Sequence, residues 1–136
     1  MNLMISRLLL ALAAAIFLLS AAMHGIAFFS KALHVVDSSN LKVFFGNEVK
    51  VLWLADSTTL MGLAIIFGLL AAKPSWVRRP VILLLSLIPG ATTGLLYVFL
   101  GPFYAAHLLL AATLMVIVSG LILPAGNMPN PQAATA

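Results

Sequence analysis

Apolar residues along this chain fall into four long runs, and each break between runs carries the charges, prolines or glycines that end a helix. The first run extends from about Ile5 to Phe29 and is interrupted only by Arg7, Ser20, His24 and Gly25. Its start also has the form of a signal peptide, with Arg7 as n-region, Leu8 to Leu19 as apolar core and Ser20-Ala21-Ala22 as a small-residue cleavage site. The apolar run continues past that point through Phe29, which favours a retained first membrane helix over residues 5–29.

Ser30 to Asn47 is the one sizeable loop. Asp37-Ser38-Ser39-Asn40 has the composition of a turn or helix start. Leu41, Phe44 and Phe45 follow at i, i+3 and i+4, with Gly46 as a stop, which predicts a short amphipathic helix lying in the membrane interface. Asn47 then suits the N-cap of a second membrane helix over residues 48–72. Lys73 to Pro80 is a tight basic connection, and Pro80 fits the first turn of a third helix over 80–100. Pro89, near the middle of that helix, should kink it. Gly101-Pro102 is short enough to force an antiparallel hairpin with a fourth helix over 103–123. Residues 124–136 carry no charge and read as a disordered tail.

Composition turns these runs into membrane spans. Of 136 residues, 63% are hydrophobic and 7% charged, far from the quarter charged that a soluble domain carries. That is about 86 apolar residues, close to what four crossings of about 20 residues consume. The expected fold is therefore all-α, an integral membrane four-helix bundle with a short amphipathic segment in the first loop. The lipid bilayer is the first partner it implies. Small residues at Ala21/Gly25, Ala64/Gly68, Gly90/Gly94 and Ala112/Gly120 suit close helix packing, within the bundle or between chains in a homo- or hetero-oligomer.

Net charge of +4 comes from only seven basic residues, placed at the ends of apolar runs, where they orient helices; a clustered nucleic-acid face is missing. Arg7 and the Lys73–Pro80 connection lie on one side; Gly101-Pro102 and the Ser30–Asn47 loop, whose Lys31 and Lys42 are accompanied by Asp37 and reduce the contrast, lie on the other, so the positive-inside rule puts both termini in the cytoplasm. Trp76 and Trp53 then fall near the inner and outer interfaces as aromatic anchors. The outline resembles small bacterial inner-membrane proteins, some of the DoxX type among them, though no signature motif carries the match and no residue roles follow from it. With no cysteine, the chain departs from thiol-dependent four-helix proteins of the DsbB and vitamin K epoxide reductase kinds.

The few polar groups inside the spans share a depth. His24 lies five residues before Phe29, Asp56 about six to eight residues into the second helix, Thr93 and Tyr97 seven and three residues before Leu100, and His107 about four residues into the fourth helix. At about 1.5 Å per residue, all fall roughly 4–12 Å from the same surface. An ionisable side chain in a membrane is costly and marks function or a partner. Asp56, His107, His24, Thr93 and Tyr97 are therefore the expected ligand-binding residues, in a pocket that takes a small amphiphile or a cation. A carboxylate–histidine pair fixes an imidazole tautomer and underlies proton relays and metal second shells. The bland alternative is internal hydrogen bonding that locks helix packing, in an accessory subunit that binds its partners through small-residue faces.

Motifs for known chemistries are missing. No H-x-x-x-H, H-E-x-x-H, G-x-S-x-G or phosphate-binding glycine loop occurs, so no metal site, catalytic residue or cofactor is assigned from the sequence.

Overall fold

The computed structural model describes residues 2–124, which form helices and short turns. The elements are α1 (Asn2–Ala27), a π-helical stretch (Phe28–Ala32), α2 (Leu33–Asp37), α3 (Val43–Ala72), a 3-10 turn (Pro74–Trp76), α4 (Arg79–Leu85), α5 (Leu87–Leu100) and α6 (Tyr104–Leu121). Four continuous stretches are long and apolar enough to cross a membrane: Asn2–Asp37, Val43–Ala72, Arg79–Leu100 and Tyr104–Leu121. Large apolar side chains such as Leu8, Leu19, Leu52, Ile65, Leu84 and Phe99 point outward, the expected dress of helices solvated by lipid.

The helices run up, down, up, down. Arg7, Lys73, Arg78 and Arg79 gather at the end where α1 begins and α3 stops, here called the basic end. The Arg7 Nε–H donates to the Ala71 carbonyl at 2.7 Å, satisfying one of the carbonyls that the last turn of α3 leaves without a helical partner. Nearby, Ser6 on α1 and Ser119 on α6 are fully buried, with their hydroxyls 2.8 Å apart. Ser119 also donates to the Ser6 carbonyl at 3.2 Å, so Ser6 in turn donates to the Ser119 hydroxyl. α1 occupies the centre, against α3 on one side and α6 on the other, while α4 and α5 pack on α6. Leu10, Phe17, Phe67, Ile82 and Val116 fill the core between them, Phe17 and Phe67 stacking at 5.7 Å.

Three sequence expectations change. First, helix one does not end at Phe29. A π-helical stretch carries it to Asp37, so the loop shrinks to residues 38–42. The Ser38 and Ser39 hydroxyls donate back to the Val35 and Val36 carbonyls, closing α2. Second, Leu41–Phe45 is no separate interfacial helix. α3 begins at Val43, with Lys42 as its N-cap residue, and Gly46 and Asn47 are interior positions. A side-chain carbon at Gly46 would lie 3.6 Å from Val36, an ordinary packing distance, so α2 and α3 are in contact there without needing the glycine. Packing between α2 and α3, with the Asp37–Lys50 ion pair, outweighs the weak helical preference of a glycine there. Third, the break in helix three falls at Ser86 rather than at Pro89 itself. Proline clashes with the carbonyl four residues earlier, here Leu85, and α4 ends on that residue. Of the expected tail, all but Pro124 lies outside the described residues.

Helix lengths are unequal, with consequences for the site. At about 1.5 Å per residue, α1 through α2 spans roughly 54 Å and α3 roughly 45 Å, against roughly 33 Å for α4 with α5 and 27 Å for α6. The α1–α3 pair therefore stands well above the α5–α6 turn, away from the basic end.

Candidate functional site

His24 is held on three sides. Trp53, on the neighbouring α3, stacks its indole on the imidazole with ring centroids 4.7 Å apart and planes 16° from parallel. The Trp53 indole N–H also donates to the His24 carbonyl at 3.0 Å. His24 Nδ1 lies 2.8 Å from the Ser57 hydroxyl, and its Nε2 lies 3.6 Å from Asp56 Oδ2. Trp53, Asp56, Ser57 and Leu60 stand at i, i+3, i+4 and i+7 on α3, one helical face turned toward α1 and the cavity beside it. Phe28, buried at the start of the π-helical stretch, closes the far side of Trp53 with centroids 6.3 Å apart.

The Ser57 hydroxyl can bond in two ways, and the Asp56 carboxylate favours the one that leaves a proton on Nε2. Ser57 sits 3.3 Å from the Trp53 carbonyl, one turn back, a long contact for its hydroxyl. Were its proton spent there, Nδ1–H would donate to Ser57 and a bare Nε2 lone pair would face the carboxylate. Donating instead to Nδ1 leaves Nε2–H turned toward Asp56, the attractive arrangement. The 3.6 Å separation is an ion-pair distance, too long for a direct hydrogen bond. The side chains are 30% and 39% exposed, so both polar atoms remain reachable. Elsewhere among the described residues, every buried side-chain nitrogen and oxygen has a hydrogen-bond partner.

That reachable surface is the polar end of a cavity of about 440 Å³. α1 and α6 form its floor, and α3 and α5 its walls. His24, Asp56, Trp53 and Ser20 sit on one side; Leu96, Leu100, Phe103 and Leu108 make the opposite side apolar. Ligand sites are commonly of this size, mostly apolar with a few converging polar groups. Leu100, Phe103 and Tyr104 flank the α5–α6 turn, so the cavity lies at the level of that turn. Asp37 is 13 residues beyond His24, and Val43 13 residues before Asp56, so the α1–α3 pair rises roughly 20 Å above this layer. The depth inferred by taking Phe29 as a helix end is thus replaced by one set by the shorter hairpin.

The structure brings only part of the expected set together. His24 and Asp56 meet at the cavity. His107 and Tyr97 meet each other, Tyr97 hydroxyl to His107 Nδ1, across the Gly101-Pro102 turn, and neither lines the cavity. Thr93 is buried and donates to the Pro89 carbonyl at 2.7 Å, while its neighbour Thr92 faces the cavity. One residue is about 100° of helix rotation, enough to exchange an interior position for a lining one. The sequence places Trp53 as an interface anchor and gives Ser57 no role of its own. The i, i+3, i+4 spacing with Asp56 was the signal that joins them. Among the described residues no three His, Cys, Asp or Glu side chains gather as metal ligands.

Fold and site together define a small α-helical membrane protein with one polar-ended cavity between its helices. No protein-family model, curated protein or solved structure matches the chain.

Proposed function

We propose that this protein binds a small amphiphile, head at His24 and Asp56 and tail along the apolar wall of α5 and α6. The observation that carries the reading is the pairing of a cavity of about 440 Å³ with an imidazole and a carboxylate 3.6 Å apart in its lining. An amphiphile answers both halves of that lining; a bare cation answers only one, and a third ligating side chain is not at hand. In this reading the protein sits in a bacterial inner membrane. The basic end, with Arg7, Lys73, Arg78 and Arg79, faces the cytoplasm, and the cavity lies near the outer leaflet.

Dodecanol is a suitable probe. Added to the purified chain in amphipol, it should raise the melting temperature saturably, because a ligand that binds only the folded state stabilises it by mass action. Ala105 lines the cavity, and Ala105→Phe takes up part of its volume while leaving the His24 and Asp56 side chains unaltered in identity. That variant should fold and lose the dodecanol response. An equal response in wild type and Ala105→Phe would overturn the reading.

The second reading, an accessory subunit of a membrane complex, has its own observation. Ala14, Ala15, Ala64 and Gly68 line a shallow apolar groove between α1 and α3 that suits a close-packed partner helix. It gains if the cavity proves inert.

A further inference from the structure

The headgroup itself is specified by the geometry of the polar end. Resting on the amphiphile reading above, we infer that the ligand carries a neutral hydroxyl, as in a long-chain alcohol, a monoacylglycerol or a quinol, and is neither a fatty acid nor an amine.

His24 Nε2 and Asp56 Oδ2 are 3.6 Å apart. An oxygen about 2.8 Å from each would see them about 80° apart, so opening the pair to about 4.5 Å lets a tetrahedral hydroxyl bridge them. The two corners ask for opposite things. The Asp56 carboxylate beside Nε2 favours a proton on that nitrogen, and Ser57, 2.8 Å from Nδ1, can donate to the other. Asp56 is an acceptor. The bridging atom must therefore accept one hydrogen bond and donate another, which a hydroxyl does and few other single atoms do.

Charge sorts the competitors. A carboxylate headgroup accepts from His24 but has no proton for Asp56, and two anions would face each other across about 3 Å in a poorly screened site. An ammonium donates well to Asp56 yet points its own N–H at the Nε2–H. Using the ammonium means moving the imidazole proton to Nδ1, away from the Asp56 carboxylate, with the Ser57 bond reversed. Trp53 keeps the ring in place, its indole flat against the imidazole and its N–H on the His24 carbonyl. The Nε2 edge is thus held toward the carboxylate, which favours the proton on Nε2. The rest of the lining is neutral: among the residues that line the cavity, Asp56 and His24 are the ionisable pair, with Tyr104 as the remaining titratable side chain.

The test compares dodecanol, dodecanoate and dodecylamine, equal in tail and different in head. Trp76→Phe leaves Trp53 as the sole tryptophan, since the chain has two, and its emission reports on the imidazole stacked against it. In amphipol at neutral pH, dodecanol should change Trp53 emission saturably, with an apparent Kd at least about tenfold below those of the other two probes, the worth of one charge-assisted hydrogen bond. Asp56→Asn should weaken dodecanol by about the same factor while narrowing the gap to dodecanoate. Tightest binding by dodecylamine or dodecanoate in the wild-type background overturns the hydroxyl assignment and leaves the amphiphile cavity standing. No saturable response to any of the three overturns the cavity reading, and this inference with it. Because the ranking is read on a chain that retains His24 and Asp56, misfolding of the Asp56→Asn variant does not decide the outcome.

Discussion

Single polar residues do two kinds of work in this bundle, and what their polar atoms bond to separates them. Ser6 and Ser119 are fully buried and exchange hydrogen bonds with each other, so they act as a clasp between α1 and α6. Removing one partner leaves the other unsatisfied, whereas removing both leaves two small apolar surfaces in contact. Ser119→Ala should therefore destabilise the protein by about 1 kcal/mol, near the middle of what interhelical hydrogen bonds in membranes contribute. The double variant, Ser6→Ala with Ser119→Ala, should cost no more than the single one. Denaturant-induced unfolding in mixed micelles checks this, and an additive double variant would show that the two hydroxyls act independently. His24 and Asp56 differ because their polar atoms do not satisfy each other directly. They keep bonding capacity for something else, which is what distinguishes a site from a clasp. The Tyr97–His107 pair, though exposed, bonds through the Tyr97 hydroxyl and His107 Nδ1 and joins the ends of α5 and α6 across their turn.

At the level of elements, small residues proved unequal although their spacing in the sequence is alike. A side-chain carbon at Gly120 would lie 2.9 Å from Leu83 and 3.2 Å from Ile82, so α6 and α4 touch there through the glycine itself. At Gly94 the same carbon meets nothing within 4 Å. Gly120→Ala should cost about 1–2 kcal/mol through overpacking, and Gly94→Ala should be neutral or mildly stabilising because alanine is the better helix former. Melting temperatures of the two variants decide the matter, and equal losses would mean the α4–α6 contact yields more readily than its distances imply. The periodicity of small residues could not tell these sites apart, since it records which helix face is smooth and not which neighbour lies on it. The same limit applies to helix ends. The loop expected at Ser30 was misread because Ser30 and Lys31 look like interruptions in a hydropathy profile. In the folded chain Ser30 donates to the Ile26 carbonyl, four residues back, and the helix passes through.

For the whole molecule, the unequal helix lengths set the geometry. A long α1–α3 pair beside a shorter α5–α6 hairpin leaves a step at the level of the α5–α6 turn, and the cavity lies in that step. Its orientation in the membrane is open to a direct test, because a chain without cysteine accepts single cysteines cleanly. Asn40→Cys, in the turn between α2 and α3, should react with a membrane-impermeant maleimide on intact cells. Ser75→Cys, at the basic end, should react only after permeabilisation. The reverse pattern would overturn the assignment of the basic end to the cytoplasm.

The sequence by itself determined the solvent, the number of crossings and their approximate extents, because each depends on unbroken runs of apolar residues, a local quantity. It also picked out His24 and Asp56, since an ionisable group in an apolar run stands out whatever surrounds it. Only the tertiary structure decided that these two meet, that Trp53 and Ser57 hold them, and that His107 turns instead to Tyr97. Those outcomes depend on which helices are neighbours and how each is rotated about its axis. A rotation of about 100° per residue converts a lining position into an interior one, and no run of hydropathy carries that angle from one helix to the next.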